Sequence, residues 1–282
     1  MIENVAVLMT VHNRKNVTRN CLEHLFQSAE LFKDKLSIDV FLVDDGSTDG
    51  TKEMVQGEFP KVKVIDGDGN LFWNRGMRLA WQNAEKGDYD FYLWLNDDTV
   101  IYENTLLQML EAYSDNVNSV IVGATHSTED MNRTTYGGYD SNDNLISPNG
   151  TYQKLSMING NFVLISRSVF KVCGLLPAQL HHTGGDNYYA IKSRKCGISC
   201  ILMKDYVGIC DQHDKPTPFT DPNVPLIKRL KSLYYPDNLF THAWVLNRMD
   251  KGIWGVIVNV TSLHVYALFP SFVRLVRKIK IK

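Results

Sequence analysis

The first hundred residues alternate short apolar runs with stretches of helical periodicity, and that order restricts the fold more than any other feature. Val5 to Met9 is an apolar run, and from Asn16 to Phe32 the residues Val17, Cys21, Leu25, Ala29 and Phe32 recur at helical spacing. Ile38 to Val43 reads as a second strand. Ser47, Thr48 and Asp49 then offer capping side chains to a short helix through Val55. Val62 to Ile65 reads as a third strand, Asn74 to Ala84 as a third helix, and Tyr89 to Leu95 as a fourth strand rich in aromatic side chains. This order predicts the α/β class, a Rossmann-like and mostly parallel sheet flanked by helices and closed by right-handed crossovers.

Beyond Thr99 the pattern loosens. Glu103 to Tyr113 and Asn187 to Cys196 have helical patterns, and Ser119 to Val122 and Phe162 to Ile165 read as strands. Residues 125–155, rich in Gly, Asn, Asp and Ser, read as long loops over a site. The expected organisation is one domain over residues 1–215, followed by a helical appendage over 216–282. A chain of 282 residues, 44% of them hydrophobic, can bury one such core. Its net charge of −1 gives no support for nucleic-acid binding. Five cysteines without metal-finger spacing, and an N-terminus without a secretory pattern, point to a reducing cytoplasmic compartment.

Asn96, Asp97 and Asp98 follow the fourth strand directly. Ligands of open α/β sheets collect at the carboxyl ends of strands, and oxygen donors grouped there suit a hard cation, Mg²⁺ or Mn²⁺. An Asp-rich turn with no ligand is the plainer alternative. Asp44 and Asp45 end the second strand; adjacent acids at a sheet edge repel unless a donor or ligand meets them. Asp186, after Gly184-Gly185 and before a helix, is either an N-cap or a general base.

Taken together, Thr10-Val11-His12-Asn13-Arg14, Val43 to Thr51 and Leu95 to Thr99 resemble family 2 glycosyltransferases of the GT-A fold. Gly67 to Met77 looks like a glycine- and aromatic-rich segment of rhamnosyltransferase-like members, Ile158 to Ile165 is similar to their later Asn-Gly segment, and Gly184 to Tyr189 matches the position of the catalytic acid. The motifs stand in family order over residues 4–215. The resemblance implies an inverting, metal-dependent hexosyltransferase with a nucleotide-sugar donor, dTDP-rhamnose before a UDP-hexose. Asp186 would be the base. Thr10, His12, Arg14, Asp44, Asp45, Gly69, Asn70, Trp73, Arg75, Asn96 and Asp97 would meet the donor. Of Phe72 and Trp73, one would stack on a sugar and one fill the core. Asp98 and His213 would hold the metal; Asn159, Gly160, His181 and His182 would meet the acceptor. The usual Asp-x-Asp has Asn96 at its first position, a weaker ligand or a hydrogen-bond donor to the sugar. Tyr188 stands where a second acid is common. A sugar nucleotidyltransferase and an inactive carbohydrate-binding or scaffold relative are the alternatives.

From Gly252 to Val273 no residue is charged at neutral pH, and Arg274, Arg277, Lys278, Lys280 and Lys282 follow. Asn259, His264 and Pro270 argue against a membrane span, whereas an interfacial helix on an anionic membrane surface fits. Packing within the protein and a homo-oligomer interface are the other readings. The resemblance implies bacterial surface-polysaccharide synthesis, of O-antigen or capsule, on a lipid-linked or oligosaccharide acceptor at the inner face of the cell membrane.

Overall fold

The computed structural model describes residues 2–212 and 218–271. In chain order the elements are β1 (Glu3–Val11), α1 (Lys15–Leu31), β2 (Leu36–Asp44), α2 (Thr51–Glu58), β3 (Lys63–Asp66), α3 (Phe72–Ala84), β4 (Phe91–Leu95), β5 (Val100–Ile101), α4 (Thr105–Asp115) and β6 (Val120–His126). Next come β7 (Thr134–Tyr136), β8 (Gly138–Tyr139), β9 (Gln153–Leu155), β10 (Met157–Ile158), β11 (Phe162–Ser166), α5 (Arg167–Cys173), α6 (Gly185–Lys195) and β12 (Cys200–Ile209). The last helices are α7 (Leu226–Ser232), α8 (Leu239–His242) and α9 (Arg248–Leu268).

The main sheet runs β3-β2-β1-β4-β11-β6-β12-β5. Strands β1 to β4 pair in parallel, as the β-α alternation requires, and β6 pairs in parallel with β12. β11 lies antiparallel to both β4 and β6 and makes the sheet mixed. Strand order reverses between β1 and β4, so their carboxyl ends flank the crevice where ligands of such sheets bind.

Side-chain alternation sorts β1 onto two cores. Val5, Val7 and Met9 face Cys21, Leu22 and Leu25 of α1, whereas Ala6 and Leu8 join Met77, Ala80 and Trp81 of α3. Trp81 centres an aromatic cluster with ring centroids 5.0–5.6 Å from Tyr92, Trp94, Phe170 and Tyr189.

Residues 125–155, expected to be loop, carry the short strands β7 to β9. Pairings this short leave almost no periodic signal in the sequence. β12 is ten residues long, and Lys204 and Asp205 interrupt its apolar run where the register against β6 shifts. Of the three expected caps of α2, Asp49 accepts the Thr51 N–H at 3.0 Å, while Ser47 Oγ accepts the Asn13 N–H at 2.9 Å.

The chain divides into two compact units, 1–178 with 185–212, and 179–184 with 213–282. The second has a small core of its own, in which Leu233, Leu239 and Ala267 meet Phe219, Leu230, Val260 and Leu263. The Asp237 carboxylate there accepts the backbone N–H groups of His181, His182 and Thr183 at 2.8–2.9 Å, which ties residues 179–184 to this unit.

Trp81 is fully buried in the first unit. Trp81→Ala should cost about 3–5 kcal/mol through lost burial and the cavity left behind. Denaturant unfolding followed by near-UV circular dichroism measures it, and a loss below about 1 kcal/mol would show that the aromatic cluster does not hold the sheet to its helices.

Candidate active site at the β1–β4 crevice

Three side chains meet where β1 and β4 end. Arg14, in the turn after β1, places Nη1 2.7 Å from Asp97 Oδ1 and Nη2 2.9 Å from Asp98 Oδ2. Thr18 Oγ1, one turn into α1, donates to Asp97 Oδ2 at 3.2 Å. Asp97 is buried, and burial pushes its carboxyl up to about 6 against the pull of Arg14. Both Asp97 oxygens are thus committed within the protein. Asp97, expected to meet the donor, is the buried counterion of Arg14. Asp98 retains 17% side-chain exposure, and its Oδ1 accepts from Cys210 Sγ at 3.5 Å.

Asp45, expected to meet a base or ribose, is held by the segment that follows β3. Its Oδ1 accepts the Gly69 N–H at 2.9 Å and the Leu71 N–H at 3.2 Å, and its Oδ2 accepts Leu71 and Phe72 N–H at 3.0 and 2.9 Å. Those bonds fill its acceptor positions and fold the 67–72 segment over the end of β2. Phe72 is held at a φ of +53°, a strained value for a bulky side chain. Asp44 accepts the Ser47 N–H through Oδ1 at 2.7 Å, while its buried Oδ2 has no hydrogen-bond partner. His12 Nδ1 lies 2.7 Å from the Asp45 carbonyl, and Asn13 Oδ1 accepts the Thr48 N–H at 2.7 Å, so the turns after β1 and β2 are stapled together.

A second chain of contacts reaches Asp186. The Trp73 indole N–H donates to Asn96 Oδ1 at 2.7 Å. An indole nitrogen only donates, so this bond fixes the Asn96 amide and leaves its NH₂ as the group with hydrogens to offer. The Trp73 ring packs edge-on to Trp94 and covers Gly160, where a Cβ would fall 2.3 Å from the ring. The Gly160 N–H in turn is hydrogen-bonded to Asp186. Trp73 therefore belongs to the site. Asp186 opens α6, and at Gly185 a Cβ would lie 2.0 Å from Asn74 Oδ1 of α3, so glycine is required for the two helices to approach. The Asp186 carboxyl is hemmed in by protein and pushed up to about 6 by burial, against hydrogen bonds from Asn187 and Gly160.

The remaining expected residues spread more widely. Thr10 lies under Gly76 of α3, and Arg75 Nε donates to the Ala178 carbonyl at 3.0 Å. Asn70 is exposed beside Gly69. Asn159 Oδ1 accepts the Gly137 N–H at 3.2 Å. His181 and His182 belong to the second unit, and His213 lies outside the described residues. Sequence reasoning missed Thr18, Cys21, Asn161 and Cys210. Cys21 Sγ donates to the Asn96 carbonyl at 3.4 Å, the Asn161 carbonyl accepts the Asn96 N–H at 3.0 Å, and the Asn161 amide reaches Cys210 Sγ at 3.6 Å. The one available signal was the position of Asn161 and Cys210 at strand ends.

The donor set fits a hard divalent cation through Asp98, the more exposed carboxylate. One protein carboxylate with substrate phosphates and water is a common Mg²⁺ arrangement. No three His, Cys, Asp or Glu side chains gather into a closed metal site among the described residues.

Comparisons with known proteins agree with this geometry. A model of the family described as "Glycosyl transferase family 2" matches residues 6–174. The mannosyltransferase PcManGT of Pyrobaculum calidifontis, solved with GDP-Man and Mn²⁺, superposes with a TM-score of 0.58 at 14% identity, over 100% of this chain and 81% of that one. TarS 1-349 of S. aureus gives 0.57 at 10% identity, over 95% and 91%. GalNAc-T7 with UDP, GalNAc and Mn²⁺ gives 0.54 at 14%, over 83% and 48%. No curated protein matches the chain in sequence. The fold is of the GT-A type.

Arg14→Met removes the cation facing two carboxylates and leaves Asp97 buried and uncompensated. Stability at pH 7 should fall by about 2–4 kcal/mol. Adding Asp97→Asn should recover more than half of it. Urea titration of the two single variants and the double variant measures the coupling, and additive losses would remove the ion pair from its structural role.

Proposed function

The chain belongs to glycosyl transferase family 2, and we propose that it is an inverting hexosyltransferase that moves a sugar from a nucleotide-sugar donor to a hydroxyl of a glycan acceptor. The observation that carries this reading is a continuous path at the β1–β4 crevice: the Arg14–Asp97–Asp98 cluster, then Asn96, Trp73, Gly160 and Asp186. A cation site and a carboxylate base are the two ends that glycosyl transfer with a diphosphate leaving group needs.

In this reading Asp186 is ionised above pH 6 and takes the proton from the acceptor hydroxyl as its oxygen attacks the anomeric carbon. The bond from that carbon to the diphosphate breaks on the opposite side, and the nucleoside diphosphate leaves with the electron pair. Asn96 offers its NH₂ to the donor sugar. Thr10, His12, Asp44, Gly69 and Asn70 frame the base and ribose, with Asp45 shaping the loop that does so, and Arg75 serves the diphosphate. Mg²⁺ or Mn²⁺ would be held by Asp98, with His213 as a second ligand, and supplies charge to the leaving diphosphate. The Mn²⁺ in PcManGT and GalNAc-T7 supports that choice. Asn159, Gly160, His181 and His182 serve the acceptor. We assign the chemistry to residues 1–215. The resemblance of Gly67 to Met77 supports dTDP-rhamnose as donor, and a role in O-antigen or capsule synthesis at the inner face of the membrane.

Asp186→Asn should lower transfer by about 10²–10⁴-fold with donor binding nearly unchanged. The wild-type rate should fall with acid below about pH 6. Because the folded carboxyl is raised from 3.8 to about 6, its protonated form stabilises the protein below pH 4, and that stability is lost as pH rises through 6. Asp186→Asn should therefore melt higher than wild type at pH 7.5 and lose this advantage below pH 4. Transfer within tenfold of wild type removes Asp186 from the base role.

The donor is tested by thermal shift with Mn²⁺ and each nucleoside diphosphate, since a ligand of the native state raises the melting temperature by mass action. dTDP should raise it most. A larger shift with UDP or GDP overturns the rhamnosyl donor, and equal shifts with and without Mn²⁺ overturn the metal.

A further inference from the structure

The second unit presents a surface that the transfer chemistry does not use. At Gly252, with a φ of +68°, the helix path breaks, and α9 continues from 253 to Leu268. One side of this segment packs inward, where Val260, Leu263 and Ala267 close on Leu230, Leu233 and Leu239. The opposite side carries Trp254, Ile257, Val258, Thr261, Val265 and Leu268. At about 100° per residue these six span an arc of about 100°. The five apolar members are 73%, 48%, 61%, 40% and 44% exposed in that order. The helix is thus apolar on both sides with only one side covered, which marks an interaction surface.

Charge says what covers it. Residues 1–212 carry nineteen Lys and Arg against twenty-seven Asp and Glu, a net of −8. Residues 213–282 carry eleven against four, a net of +7, and five of those cations directly follow the stripe in sequence, between Arg274 and Lys282. A second copy would bring the same net positive charge, whereas an anionic surface is complementary to it.

We propose that the outer face of α9 docks on an anionic lipid surface, the apolar stripe seated at the headgroup–acyl boundary and the net positive charge of residues 213–282 favouring anionic headgroups. The helix lies on the surface and does not cross it. Its sixteen residues from 253 extend about 24 Å, short of a hydrocarbon core of about 30 Å, and no described helix is long and apolar enough to cross a membrane. The inference stands apart from the glycosyltransferase reading and is tested without an activity assay.

The full chain is sedimented with vesicles of phosphatidylcholine alone or mixed with phosphatidylglycerol. Wild type should prefer the anionic vesicles by about tenfold or more, less so at high salt. Val258→Asp with Val265→Asp should lower partition on both vesicles at least tenfold, with circular dichroism confirming the fold. Replacing Arg274, Arg277, Lys278, Lys280 and Lys282 by Gln should abolish the anionic preference. As a measurement that keeps the stripe almost intact, brominated acyl chains should quench tryptophan emission in wild type and clearly less in Trp254→Phe. Equal binding to both vesicles, unchanged partition of the aspartate variant, or equal quenching in Trp254→Phe each overturns the proposal. A lipid-free dimer that the aspartate variant dissociates, with vesicle binding unchanged, overturns it in favour of an interface between two copies.

Discussion

One positive charge organises the crevice. Arg14 lies just past the end of β1 and faces two consecutive carboxylates at the end of the neighbouring parallel strand β4. Without a cation there, Asp97 and Asp98 would repel at close range in a partly dry environment, and the β4 end would open or protonate. The guanidinium suits the place because its two terminal nitrogens, fixed in one plane, each reach one carboxylate. Asp97 pushed up to about 6 shows that the balance is close even so.

From that clamp the site is built outward by packing rather than by further charge. Asp45 turns three backbone N–H groups into a fixed loop, and the loop delivers Phe72 and Trp73 to the start of α3. Trp73 then spends its single donor on Asn96 and its ring face on Gly160. At Gly160 and Gly185, both next to Asp186, a methyl group would strike Trp73 and Asn74. Asp186 is thus located by two missing side chains and one indole, which is how a carboxylate is held still in a partly buried position.

The α/β order, the first six elements and the acidic strand ends were legible because their signals are local. Strand periodicity, helical spacing and Asp-rich turns need no tertiary context. Roles within the site were not legible in the same way. That Asp45 folds a loop and Asp97 faces Arg14 depends on which oxygens meet which N–H groups across 24 to 83 residues of chain. Asn161 and Cys210 offered only their positions at strand ends. The edge strands β7 to β9 escaped because two or three residues are too few for a period.

Asn96 shows how the clamp and the packing constrain each other. Its side chain has to accept from the Trp73 indole, and either an amide or a carboxylate oxygen could do that. A carboxylate would place a third negative charge beside Asp97 and Asp98 against the one cation of Arg14. Asp97 has already been driven up to about 6 by burial, so the added charge would raise it further and favour a protonated, unpaired acid in the clamp. The amide satisfies the indole, adds no charge and retains two N–H hydrogens for a ligand. Net charge in the cluster of Arg14, Asp97 and Asp98 then stays at −1, low enough for Arg14 to hold both carboxylates. The departure from the family's usual acidic pair therefore follows from the electrostatics of a site that carries its own guanidinium.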